Sequence, residues 1–138
     1  HYSPEQRAAQ SIFSVKQDVR LLNAEVTYQT IGKSLEKMQR TRDVKPADID
    51  WFLPHMSSEY FRKPMDACMN TVGFPIAQEK WFTNLQTKGN TGSASIYIMI
   101  DELLKSGRLR HGERLLCFIP ESGRFTGSLM HLTAVDHA

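Results

Sequence analysis

The sequence predicts an α/β fold whose short strands are buried on both faces, and three features carry that expectation. Short apolar runs alternate along the chain with stretches of helical periodicity, so strands and helices follow one another instead of being segregated. The runs at 49–53 and 114–119 are mostly apolar rather than alternating, the pattern of strands covered by helices on each side. With 138 residues, 41% apolar and 23% charged, the chain is long enough for one core and needs no second domain.

The elements follow in order. Residues 1–10 are polar and contain Pro4, and 12–22 mix apolar and polar side chains; 1–22 reads as a lead-in, its second part extended, before a domain over 23–138. Ala24, Tyr28, Ile31, Leu35 and Met38 recur at steps of four and three, predicting an amphipathic helix that ends near Arg40. A charged turn with Pro46 leads into a strand over 49–53, which Pro54 stops. Ser57 and Ser58 are good helix caps, and Phe61, Met65, Cys68 or Met69, and Val72 share one helical face. Pro64 sits too late for a start at Ser58, so a kink or a start delayed to Arg62 is expected. Gly73 and Pro75 end that helix. A short strand over 80–85 carries Trp81 and Phe82, and the small-residue turn KGNTGSAS opens a buried helix at Ala94 that Gly107 stops. Strands over 114–119 and 125–135, joined by a tight loop, close the chain.

Several function classes are excluded. The net charge of +2 is dispersed among acidic residues, so neither nucleic acid nor a membrane surface is an expected partner. No apolar run approaches the ~18 residues of a membrane span and no signal pattern opens the chain, which predicts a cytoplasmic protein. Cys68 and Cys117 lie far apart and have no CxxC or Cys/His spacing, so neither a disulfide framework nor a zinc site is expected. His1 in place of Met is expected of a processed or partial polypeptide.

In open α/β sheets functional groups gather at the carboxyl ends of strands. His55 ends one apolar strand just before a capped helix, and Asn90 lies in the turn that opens the buried helix. Both can face one crevice. Taken alone, a His after a strand is more often a packed or solvated residue, and Asn90 is also a natural helix cap. Cys68, inside a helix, and Cys117, inside a strand, lack the sharp turn or helix start that activates a thiol, and both read as core. Ser93 and Ser95 are read as small residues that let the helix approach the sheet.

Three segments in order, DIDWFLPH, KGNTGSASIYIMIDELLKSGRLRHGERLL and a loop running into FTGS, resemble the carboxy-terminal motifs of the 3-oxoacyl-(acyl carrier protein) synthase III family of the thiolase superfamily. The resemblance spans about residues 19–135. It implies one half of a thiolase fold, a mixed sheet flanked by helices, with a first strand preceding His1. His55 matches the family's catalytic His and Asn90 its catalytic Asn. Their partner, a nucleophilic Cys, belongs to the amino-terminal half and lies outside this chain. The implied reaction is a decarboxylative Claisen condensation of an acyl thioester with malonyl-acyl carrier protein, in fatty acid or related polyketide synthesis. No cofactor is implied, since substrates ride on the phosphopantetheine of acyl carrier protein or coenzyme A. The implied partners are that carrier or an acyl-CoA, the amino-terminal half, and a second copy in a homodimer.

Two departures stand out. The family continues Pro-His with Gln-Ala-Asn and an Arg implicated in carrier docking, whereas this chain reads Met56, Ser57, Ser58, Glu59, Tyr60. Tyr60 takes the Arg position, and Arg62 and Lys63 are the substitutes nearby. The family's triple-glycine loop, part of its oxyanion site, is replaced by PESGR, in which Gly123 alone matches. An alternative expectation is therefore a non-catalytic partner subunit of a condensing enzyme, and the isolated chain is expected to be inactive.

Overall fold

The computed structural model describes residues 2–11, 18–121 and 123–135. The elements are α1 (Pro4–Ala9), α2 (Val19–Thr27), a π-helical turn (Tyr28–Gly32), α3 (Lys33–Thr41), β1 (Trp51–Pro54), α4 (Arg62–Thr71), α5 (Leu85–Lys88), α6 (Ser95–Lys105), β2 (Arg114–Glu121) and β3 (Thr126–Thr133). β1 pairs with β2 in parallel and β2 with β3 antiparallel, giving a mixed sheet in the order β1-β2-β3. No gap separates β1 from β2, and the outer edge of β3 has no strand partner among the described residues.

β1 and β2 are buried on two faces, as their apolar runs predict. Phe52, Leu116 and Phe118 join one apolar cluster, while Leu53, Leu115 and Cys117 join another. This period-two division is the side-chain alternation of a strand. The π turn, α3 and α4 cover the first face through Ile31, Leu35, Met65 and Met69, and α6 covers the second through Ile96, Met99 and Leu103. Each such side chain contributes about 1.5–3 kcal/mol when fully buried.

The delayed helix start is present. Ser58 caps a 3-10 turn by accepting the Tyr60 amide at 3.2 Å, and α4 begins at Arg62, so Pro64 falls in its first turn, where a missing N–H leaves no bond unmade. At the other end Gly73 takes φ 73° and the Phe74 amide donates back to Met69 O at 2.8 Å, a Schellman closure.

Three expectations are corrected. First, the lead-in contains a helix, α1, held by a reciprocal Ser3–Gln6 capping box, and α2 begins at Val19, where Asp18 accepts the amides of Arg20 and Leu21. Residues 19–22 are thus helical and not extended; 12–17 lie outside the described residues. Second, the strand expected over 80–85 shrinks to one bridge, Phe52 with Trp81, beside a Phe82 amide bond to Phe52 O at 2.8 Å. A 3-10 turn at Gln78–Lys80 and α5 from Leu85 leave no room for a ladder. Side chains hold this segment instead: Trp81 meets Phe52 edge-on at 4.9 Å and donates its indole N–H to Ile76 O at 2.9 Å.

Third, the helix read as one periodic face is two helices joined by a π turn. Ala24 and Tyr28 are exposed, whereas Val26 and Thr30 are buried, and burial resumes at Ile31, Leu35 and Met38. The extra residue rotates α2 relative to α3 and breaks the 3.6-residue period. Two glycines permit the close packing there. A Cβ on Gly32 would meet the Tyr28 ring at 2.6 Å and Cys68 Sγ at 3.0 Å, and one on Gly127 of β3 would meet Thr30 O at 2.7 Å.

Candidate active site

Because β1 and β2 run parallel, their carboxyl ends meet on one side of the sheet. His55 follows β1 directly, and its amide donates to Phe118 O at 2.9 Å, continuing the ladder by one residue. Here a cleft of about 280 Å³ opens. Leu22, Val26, Thr27 and Thr30 of α2 and the π turn form one side. The β1–α4 connection adds His55, Met56, Ser57 and Phe61, α4 adds Met65, and β2 adds Phe118 and Pro120. Asn90 reaches the same cleft from the turn before α6, so both predicted catalytic residues line one cavity. Among the described residues no charged side chain lines it.

His55 is only 9% exposed. Its Nδ1 is buried with no hydrogen-bond partner among the described residues, which leaves Nε2 as the less enclosed ring nitrogen of a side chain that lines the cleft. Burial pushes the imidazole pKa below its ordinary value, so the ring is neutral near pH 7 and presents a single N–H. Asn90 is held differently. Gly89 adopts φ 71° and ψ −170°, a region open essentially to glycine alone, and this turns the chain toward the cleft. Asn90 Oδ1 accepts the Gly92 amide at 3.0 Å, which leaves Nδ2 as a donor. The cap that the sequence suggests is therefore an Asx turn ahead of α6.

The other predicted site residues are not brought together with these two. Gly123 lies on the exposed β2–β3 hairpin, does not line the cleft, and donates its amide to Glu121 Oε1 at 2.7 Å. The same carboxylate accepts the Arg124 amide at 3.0 Å, so the loop is tied to itself; Ser122 lies outside the described residues. Arg62 is engaged by Gln78 at 3.1 Å and Glu59 at 3.6 Å, and stands 5.3 Å over the Trp81 ring. Lys63 is exposed beside it. Burial raises both thiol pKa values, that of Cys117 to about 12, and Glu36 adds to the rise at Cys68; neither is a poised nucleophile. Ser95 is buried against the sheet as expected, but Ser93 is exposed.

The cleft wall contributed by α2 was missed because the π turn conceals it. Phe118 and Pro120 had a legible signal: once β1 and β2 are parallel, the residue ending β2 must stand beside the one ending β1.

A three-layer half-domain with a mixed sheet, and a His and an Asn delivered to one cleft from strand and helix ends, is one half of a thiolase fold. The model of the 3-oxoacyl-(acyl carrier protein) synthase III C-terminal family matches residues 39–130, and the chain belongs to that family. A beta-ketoacyl-(acyl carrier protein) synthase III of Deinococcus radiodurans is 36% identical over 88 residues, 64% of this chain and 25% of the relative. One from Bacillus anthracis is 31% identical over 104 residues, 75% of this chain and 29% of the relative. The chain thus spans between a quarter and a third of these relatives. Among solved structures, the synthase III of Thermus thermophilus superposes with a TM-score of 0.64 at 25% identity, over 87% of this chain and 35% of that one. OleA of Xanthomonas campestris gives 0.73 at 24% identity, over 86% and 33%, a likeness of fold. Among the described residues no helix is long and apolar enough to cross a membrane.

Proposed function

We propose that this chain supplies the two enolate-stabilising donors of a Cys-dependent condensing enzyme. The parent protein joins an acyl thioester to malonyl-acyl carrier protein or malonyl-CoA. The observation that carries this reading is the convergence of His55 and Asn90 on one cleft that no charged side chain among the described residues lines. The acyl group is first transferred to a Cys in the amino-terminal half, releasing the carrier thiol. The malonyl group then loses carbon dioxide, and the electrons of the broken C–C bond move onto the thioester oxygen. Two neutral, fixed N–H donors stabilise that oxygen without transferring a proton, and removal of one such donor costs about 2.7–4 kcal/mol, roughly 100- to 1000-fold in rate. The enolate carbon attacks the acyl-Cys carbonyl, and the thiolate leaves.

Neither Cys68 nor Cys117 suits the nucleophile, so the isolated chain is inactive in this reading. The partnerless outer edge of β3 is where a preceding strand of the same polypeptide would add, and the exposed Tyr97 and Leu104 of α6 supply apolar surface for the other half. One observation favours a non-catalytic partner subunit instead: the amides of Gly123 and Arg124 are bonded to Glu121 and neither residue lines the cleft. Intact-protein mass spectrometry of the full-length parent with a panel of acyl thioesters separates the two. Acyl adducts in wild type, His55→Ala and Asn90→Ala, with condensation lost only in the variants, support the enzyme. No adduct with any thioester supports the partner.

A further inference from the structure

We propose that Pro120 is a positioning residue that holds the cleft open: it withholds the N–H that would carry the β1–β2 ladder past His55, so the chain beyond His55 is free to leave β2. The kinetic consequence rests on the reading of His55 as an enolate donor. In a strand the N–H and C=O of one residue face the same neighbour, and those of the next residue face the other. Phe52 O accepts the Phe82 amide, so Phe52 and Pro54 face the 81–82 segment, while Leu53 and His55 face β2. The His55 amide accordingly donates to Phe118 O at 2.9 Å, which sets Phe118, and with it residue 120, toward β1. The next bonds of this parallel ladder would run from the amide of residue 120 to His55 O, and from the Ser57 amide to O of residue 120. Residue 120 is proline and has no N–H to give.

The ladder stops where this register requires. β1 ends at Pro54, opposite Phe118, whereas β2 runs on to Glu121, opposite Thr126 of β3. Among the described residues no backbone amide donates to His55 O, and the Ser57 amide makes no bond to Pro120 O. The chain bends at Ser57 and Ser58, and His55, Met56, Ser57 and Pro120 all line the cleft that opens there. On its other side the proline costs the sheet nothing. A β2 residue that faces β1 sits in a non-hydrogen-bonded pair with β3, so Pro120 opposite Gly127 leaves no β2–β3 bond unmade. Proline is otherwise kept out of strand interiors because of its missing donor, and here that defect falls on the cleft side alone.

The test uses the full-length parent carrying Pro120→Ala, which supplies the missing N–H. Hydrogen exchange should find the amide of residue 120 protected. Condensation should show KM for the malonyl thioester raised about two- to tenfold at unchanged kcat, because one net hydrogen bond populates the closed cleft and apparent affinity falls with the open fraction. Replacing Pro120 with lactic acid, whose ester oxygen carries no hydrogen, should reverse the rise in KM. A freely exchanging amide at residue 120 in Pro120→Ala overturns the proposal, and so does a KM rise that lactic acid leaves in place, which would assign the effect to the lost ring. If that amide is protected but wild type condenses no thioester, the ladder stop at Pro120 stands and the catalytic reading of His55 fails.

Discussion

His55 and Asn90 face one cleft but are built to different degrees. His55 is locked by its own half-domain: its amide extends the β1–β2 ladder, its ring is buried, and Phe118 lies within the wall beside it. Asn90 is exposed and held by a single Asx bond after a glycine turn. His55 is therefore fixed by packing within this chain, and Asn90 only by local backbone geometry. Electrostatic stabilisation depends on donors that do not reorganise during reaction, so the role proposed for Asn90 calls for cover from outside the described residues and that proposed for His55 does not.

Four measurements break or sharpen this contrast. Phe118→Ala should have the largest effect, about 3–5 kcal/mol lost in urea denaturation, because a fully buried aromatic behind the His55 ladder leaves a cavity. Asn90→Ala and His55→Ala in the full-length parent should each slow condensation roughly 100- to 1000-fold, about 2.7–4 kcal/mol. Asn90→Ala should leave the urea midpoint within experimental error, as its side chain is exposed. Gly89→Ala should cost about 1–3 kcal/mol, since φ 71° with ψ −170° strains any Cβ; a stable Gly89→Ala protein would show that the turn relaxes easily.

The smallest effect is on pH dependence. The His55 pKa is lowered by burial, so the folded state disfavours the charged ring. The stability linked to its neutral form is present above the ordinary histidine range and is lost as pH falls through the lowered value. Comparing urea midpoints at pH 8 and pH 5 for wild type and His55→Gln isolates that share from carboxylates such as Glu113, whose pKa is also lowered and which contributes in the same direction. Identical pH dependence in the two proteins would mean that the ring is not desolvated.

The strand–helix order, the two-sided burial of β1 and β2, and the positions of His55 and Asn90 at strand and helix ends were legible because each depends on local pattern. Apolar runs mark strands, and Pro64 marks a late helix start. What escaped was set by packing. The regular steps from Ala24 to Met38 imitate one continuous helix, and only contact with Gly127 and Cys68 reveals the inserted residue. Trp81 and Phe82 have strand propensity, yet the Trp81 ring turns inward and stops the ladder at one bridge. Gly123 was matched by loop position, but nothing in the residue pattern foretold that Glu121 would hold its amide.

The π turn also makes the long helical arm a jointed one, with a core-facing section and a cleft-facing section that meet between Thr30 and Ile31. Deleting one residue within 28–32 would restore an unbroken α-helix and swing α2 by about 100° about its axis, the angle of a single residue. Ile31, Leu35 and Met38 would keep their seats while Val26 and Thr27 left the cleft. Cavity shape on that side is thus adjustable by chain length alone, apart from the core that sustains the fold.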